Sequence, residues 1–599
     1  MLELTSGTTL SGGGTVSLMS AAFSAIANGN TVISETLTNQ DNTITGSGRV
    51  GAAYPFYLTG GAANPGLLLV NEAAGKLDAE SGGSLGFYLF GATNNGLAEA
   101  NNGGTLALGG PGTFNNAGGT VSAGQGGLVA FGTGNAGSNT GLIQATGGGT
   151  VDFDLSLTNT GGTILAEGAG SQIALNGGIV VNGSVRASNG GAITLNAGTI
   201  QGATLSGAGT FSATAGTLAA ITLAAGTRLS LPDGATVGLS GAVANQGTIA
   251  IGGATAATVL NLTTSVTLTG GGTVALGNGA LSDIANSNAV ISNTLTNQDN
   301  TIVGSGQIGA SNTVYHGGGS GAGLLIVNQA AGTFEASGSP GLNVTAASVT
   351  NNGIFQADSG ASLRVTGLLT NWNGIALTGG TYAALNGTIA FAGANIIDNA
   401  ATIVLSGANG AITDTIGNDG LRALVANLAA GSLTVTGGRT LTTQGAFSNA
   451  GQLAIGPGGT VDVAGAFSQT PSAALDFILG ETTPLLASTL TVGGELTLGG
   501  TLNVSLQNGF TLAPGETFPL IDFSPGDLNG DFGSIILPQI AGLTVSEVVL
   551  PNAIELTVES VPEPWSLGLL LSGLFGVWRA RRGGSARRGG PLAGAFTRL

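Results

Sequence analysis

The sequence predicts an all-β chain: a right-handed parallel β-helix, or solenoid, with Gly- and Asn-rich turns, closed by a short C-terminal hydrophobic helix. Three observations carry that expectation. Short stretches alternate apolar and polar residues, an Asn close before a Gly recurs roughly every 22 residues, and one block of the chain is duplicated.

The alternation is plain in Thr163-Ile164-Leu165, Ile173-Ala174-Leu175 and Ile179-Val180-Val181, each bounded by Gly, Asn or Ser. Runs this short, with one buried face and turn residues between them, read as strands. The beat falls at Asn71, Asn94, Asn116, Asn139, Asn159 and Asn182, in steps of 23, 22, 23, 20 and 23. Gly and Asn tolerate the left-handed backbone that coil corners need. A regular period of this length is the mark of stacked coils. At about 4.8 Å per coil, some 25 coils over 560 residues would make a rod of roughly 120 Å. A leucine-rich repeat would show a stricter Leu template, and a propeller a longer period with aromatic signatures. Separate β-sandwiches remain a second reading, chiefly after residue 430.

The duplication joins Gly12-Gly13-Gly14-Thr15-Val16 through Thr43-Ile44 to Gly270-Gly271-Gly272-Thr273-Val274 through Thr301-Ile302, a shift of 258. It continues from Gly66-Leu67-Leu68-Leu69-Val70-Asn71 to Gly323-Leu324-Leu325-Ile326-Val327-Asn328, shifted by 257. The expected division is a first solenoid array at 1–257, a second at 258–430, a distinct β domain at 431–560, a sorting segment at 561–582 and a basic tail at 583–599. Met1-Leu2-Glu3-Leu4-Thr5 aligns with Val259-Leu260-Asn261-Leu262-Thr263 in mid-array, with no basic start or apolar core before it. The chain is therefore expected to be N-terminally truncated.

Composition excludes several function classes. Only 7% of residues are charged, 42% are hydrophobic and 111 are Gly, a balance that can bury a core. Cysteine is absent, so neither disulfides nor thiolate chemistry is available. Of 13 basic and 30 acidic residues, six arginines and Glu563 lie from Val561 onward, which leaves 7 and 29 before it, a net charge of −22. Such a body repels nucleic acid.

Residues 431–560 carry Gly465-Ala466-Phe467-Ser468-Gln469, Leu496-Thr497-Leu498-Gly499-Gly500-Thr501-Leu502-Asn503-Val504, Asn508-Gly509-Phe510, Gly515-Glu516-Thr517-Phe518 and Gly530-Asp531-Phe532. In that order they resemble the closing segment of autotransporter-like passenger domains, which implies the capping end of a solenoid. Independently, Leu496, Leu498, Leu502, Val504 and Leu506 alternate as a strand with one buried face. Only 39 residues follow Ser560, too few for a membrane β-barrel of even eight strands at about ten residues each.

The last segment begins Val561-Pro562-Glu563-Pro564. An apolar run follows from Trp565 through Leu567, Leu569, Leu570, Leu571, Leu574, Phe575 and Val577 to Trp578, then Arg579, Arg581 and Arg582. The run is short of the roughly 20 residues of a comfortable bilayer span, so it suits a transient anchor. Arginines beside an apolar segment hold that end in the cytoplasm. The two prolines break any strand entering from the body. Motif, run and Arg cluster in this order resemble the PEP-CTERM sorting signal of Gram-negative bacteria. The resemblance implies a membrane protease called exosortase as processing partner. It also implies export through an inner-membrane intermediate to the cell surface or extracellular matrix.

Little in the chain points to catalysis. His316, beside Tyr315, is the only histidine, so no His-based triad or multi-histidine metal site can form within one chain. Asp152 and Asp154 flank Phe153, as in β-helical polysaccharide lyases, but the nearest basic residue in sequence is Arg186. Asp527, Asn529 and Asp531 match the opening of a calcium loop, yet Phe532 and Pro538 stand where Gly and Glu are needed. Thr-x-Thr pairs (Thr36 and Thr38, Thr43 and Thr45, Thr267 and Thr269, Thr294 and Thr296, Thr434 and Thr436) would bind ice only if stacked in every coil. The expected protein is non-enzymatic, with no cofactor and no metal: an adhesin-like or matrix protein with exopolysaccharide or other surface glycans as its ligand class. A polysaccharide-active enzyme and an ice-binding protein are the alternatives. Acids gathered in a groove beside Arg186, Arg228 or Arg364 would favour the enzyme.

Overall fold

The chain is described by a computed structural model over residues 1–30, 32–51, 66–132, 136–287, 290–309, 323–480 and 488–561. Its regular structure is all β. The expected C-terminal helix, like His316, falls outside the described residues. Three strands make one coil, and in the regular coils each strand pairs in parallel with the third strand on. Gly91–Asn94, Leu97–Ala100 and Thr105–Gly109 lie under Thr113–Asn116, Thr120–Ala123 and Leu128–Phe131, with Asn94 opposite Asn116, Ala98 opposite Val121 and Leu106 opposite Val129. These three stacks are faces one, two and three of a parallel β-helix, and they merge into one 59-stranded sheet.

Alternation sets which residues point inward. Leu142–Thr146 and Thr163–Glu167 bury every second residue, so the apolar half fills the bore and the polar half meets solvent. Position along the coil then fixes size. Ala79, Ala100, Ala123, Ala145, Ala166 and Ala187 form one fully buried column on face two, where the coil narrows. Phe87, Leu108, Phe131, Phe153 and Leu175 fill the wider bore of face three, with Phe131 and Phe153 stacked at 4.9 Å.

The Asn beat has a physical cause. Asn39, Asn71, Asn94, Asn116, Asn139 and Asn159 are buried at the corner after face one, and each Nδ2 up to Asn139 donates to the Oδ1 of the next, at 2.6–2.9 Å. Their amides also donate to turn carbonyls, such as Asn71 Nδ2 to Gly75 O at 3.1 Å. The ladder thus satisfies corner groups that the strands cannot reach. The following Gly is steric: a Cβ on Gly75 would sit 2.4 Å from Asn71 Oδ1. Asn182 departs from this pattern. It is exposed at φ 63°, and Asn159 donates to its backbone oxygen instead, so the side-chain ladder stops there.

The parallel ladder passes residue 430 unbroken, through Ser432–Thr436, Gln452–Ile455, Ala474–Leu479, Thr501–Leu506 and Ser534–Ile536 on face three. This geometry replaces the sandwich alternative. The period-2 stretch buries Leu496, Leu498, Leu502 and Val504 as alternation requires, with Leu506 less covered. The end differs in kind. Thr440–Thr443, Thr460–Val463, Thr489–Val492 and Thr517–Phe523 stack in parallel, then Ala553–Ser560 and Leu543–Val549 pair antiparallel and close the sheet as a hairpin. About 22 coils result, or roughly 105 Å. That is fewer than the beat implies, because some coils are wide: Asn39 and Asn71 are adjacent in the stack but 32 residues apart.

Candidate functional site

The candidate sites of the sequence meet different fates. Of the sorting segment only Val561 is described; it is exposed, and its amide donates to Gly542 O at 3.0 Å. Pro562, Glu563, Pro564, the run Trp565–Trp578 and Arg579, Arg581 and Arg582 lie outside the described residues. Among the described residues no helix is long and apolar enough to cross a membrane.

Asp152 and Asp154 point outward on either side of the buried Phe153. Burial pushes the Asp152 carboxyl above its usual range, a hydrogen bond from Asn176 opposes that, and Asp154 adds to the rise. The basic residue nearest to them in sequence is elsewhere: Arg186 lies on face two between Leu165 and Ser206, whereas Asp152 is on face three. Asn529 sits in the short strand Leu528–Asn529 and donates to Glu495, and Gly530 takes φ 74° ahead of the half-buried Phe532. This is a strand end turning into the core: a strand and a bend before Phe532 stand where the spacing matches the opening of a calcium loop. Among the described residues no three His, Cys, Asp or Glu side chains gather as a metal site. The Thr columns are broken by Val70 above Thr38, Asp78 above Thr45, Val327 above Thr296 and Ala454 above Thr434.

One ionic cluster was only half legible. Lys76 Nζ lies 2.6 Å from both Asp78 Oδ2 and Glu99 Oε1, on neighbouring coils of face two. Burial works against the Lys76 charge, but the two carboxylates outweigh it and hold the ammonium above its usual range. Lys76 and Asp78 share a strand at i and i+2, which is visible in sequence; Glu99 joins them only through register.

The three arginines separate cleanly. Arg186 and Arg228 are exposed on the strands Ser184–Ser188 and Arg228–Leu231, whereas Arg364 opens onto a groove. It belongs to Ser362–Val365 on face one, where Leu363 and Val365 are buried and Ser362 and Arg364 face out. Asn343 lies below it and Ala390 above. A cavity of about 530 Å³ extends from Arg364 toward Thr413 and Asp414, and a second of about 380 Å³ extends toward Asn343 and Gln307. Ser362 and Arg364 line both. The walls are ordered: Asn386 at φ 57° donates to Ser359 Oγ at 2.8 Å and accepts from the Asn409 amide at 3.1 Å. Asp414, the one acid in the lining, accepts from Asn418 Nδ2 at 2.7 Å and from the Ile416 and Asn418 amides, which lowers its carboxyl below the usual range. Arg364 has neither an ion pair nor a hydrogen bond among the described residues.

The chain matches no protein-family model and no curated protein. Among solved structures it is similar to the TibC-catalysed, hyper-glycosylated fragment of TibA, at 12% identity over 78% of this chain and 99% of that one. The TM-score is 0.15, too low to carry a conclusion for this chain.

Proposed function

We propose that this chain is a non-enzymatic, exported β-solenoid displayed at the cell surface or in the extracellular matrix of a Gram-negative bacterium, where it serves as adhesin or matrix component. The PEP-CTERM-like segment from Val561 would route it through the inner membrane to an exosortase-type protease. The observation that carries the display role is the parallel ladder of face three, unbroken from Leu2 to Ile536, in a rod whose length provides surface and whose bore is filled by one continuous apolar core. Its charge distribution supports binding over catalysis. The groove beside Arg364 contains one acid, Asp414, already engaged by its own turn and held ionised, so it is poorly suited to donate a proton.

Fractionation of cells producing the full chain or residues 1–560 tests the reading. The full chain should reach the surface or matrix fraction, and the shortened one should not. Identical localisation of the two would remove the sorting role.

A further inference from the structure

We infer that the face-one groove centred on Arg364 binds an extended anionic glycan, with a carboxylate or sulfate of the chain seated on the guanidinium. The inference rests on the surface-display reading and adds its ligand class. The groove differs from a small-molecule pocket in its lining. Ser362, Asn343, Gln307, Thr413 and the small Ala390 offer hydroxyls, amides and room; neither cavity is lined by an aromatic ring, and Pro340 and Leu342 line the smaller cavity alone.

Its direction follows from register. Gln307, Asn343, Arg364, Ala390 and Thr413 come from five successive coils, each directly over the last. The cavities therefore run along the rod axis, with coils repeating at about 4.8 Å and polar side chains on four of the five, Ala390 being the exception. That repeat is close to the length of one sugar ring, so a linear chain could meet a fresh side-chain donor or acceptor on each coil except that of Ala390, which leaves room for a ring substituent.

Charge selects the class. Arg364 is the one cation in the lining of either cavity, it is exposed, and it has no ionic partner among the described residues. A guanidinium is built for two parallel hydrogen bonds to a carboxylate or sulfate. Asp414 lies at the far end of the larger cavity and is occupied by Asn418. A free guanidinium in a body of strongly negative net charge thus marks one place on the rod where an anion is accepted.

The test uses the purified full-length chain in mild detergent and isothermal titration against three defined hexasaccharides. These are an α-1,4-linked galacturonate hexamer, the same backbone with its carboxyls reduced, and a sulfated counterpart. Binding of a charged hexamer, at least tenfold weaker for the reduced one and weakened by added salt, is expected. Arg364→Gln should weaken it at least tenfold, Arg364→Lys should restore it in part, and Arg186→Gln on face two should leave it unchanged. Thermal melts of each variant check that the fold is intact. Equal binding by Arg364→Gln, equal binding of the reduced hexamer, or no binding of either charged hexamer would each overturn the inference. Any of these with surface fractionation intact sinks the groove alone. Loss of surface location with groove binding intact sinks the display reading instead.

Discussion

The duplicated block occurs twice in one rod, and the two copies do not present the same surface. Thr36–Asn39 stacks on face one, but its copy Thr294–Asn297 stacks on face two. The line from Lys76–Ala79 and Leu97–Ala100 leads through Val243 and Leu268 to Asn297. The shift of 258 residues spans eleven coils and one face more, so the second copy is turned about the axis by one side of the coil. Its interior repeats faithfully. Asn297, Asn328 and Asn351 rebuild the buried ladder, and Ala336, Ala357 and Ala384 rebuild the alanine column, each one face over. The exteriors have parted. Thr333 and Glu335 replace Lys76 and Asp78, and Glu335 now faces Asp358 with no cation between them. One covered position has changed as well: Asp283 stands where the first copy has the buried Ala25. Inward residues are bound by packing and hydrogen-bond geometry, whereas outward ones are free to change.

That contrast can be broken where it is sharpest. Asp283 Oδ1 is shut off from water with no hydrogen-bond partner among the described residues, and burial pushes the carboxyl up to about 7. The folded state then holds a proton that the unfolded chain releases near pH 4, so stability is highest below pH 4 and falls as pH rises to about 7. The loss is up to about 4 kcal/mol at 1.36 kcal/mol per pH unit, an upper bound. Asp283→Asn should reduce the fall of the urea midpoint between pH 4 and 7, whereas Ala25→Asp should not bring that slope to the first copy. Ala25 pairs in register with Arg49, which would keep the new carboxylate ionised, while Asp283 pairs with the neutral Gln307.

Next in size is the ladder itself. Asn94→Ala strips a partner from Asn71 Nδ2 and frees the oxygen of Asn116, at about 3 kcal/mol. Asn328→Ala should cost about the same in the second copy, and unequal urea midpoints for the two would separate their interiors. Smaller again is Lys76→Met, which leaves Asp78 and Glu99 facing each other, at about 1–2 kcal/mol after allowance for the exposed ammonium. Because the Lys76 ammonium is held above its usual range, its contribution is complete below about pH 10 and is lost at higher pH. The reverse change, Thr333→Lys beside Glu335 and Asp358, should stabilise by no more than about 1 kcal/mol by thermal melting.

These residues also show how far the sequence could be read. Asn71 to Asn159, their following glycines and the alternating strands announced the solenoid, because each reports a local demand of packing or backbone conformation. The turned second copy was illegible, since it depends on how many residues every intervening coil consumes. Asn182 keeps the beat in sequence but leaves the ladder through a left-handed φ. The Arg364 groove was hidden for the same reason: Asn343, Arg364, Ala390 and Thr413 are scattered in the chain, and only register gathers them.

The central claim, that both copies belong to one continuous rod, can be measured as a distance. The chain has no cysteine, so Thr38→Cys and Thr296→Cys admit a single pair of spin labels on outward positions of the two copies. Eleven coils at about 4.8 Å predict a narrow pulsed-EPR distribution near about 50–55 Å. A broad distribution, or a peak below about 40 Å, would contradict a single stack and return the copies to separate domains.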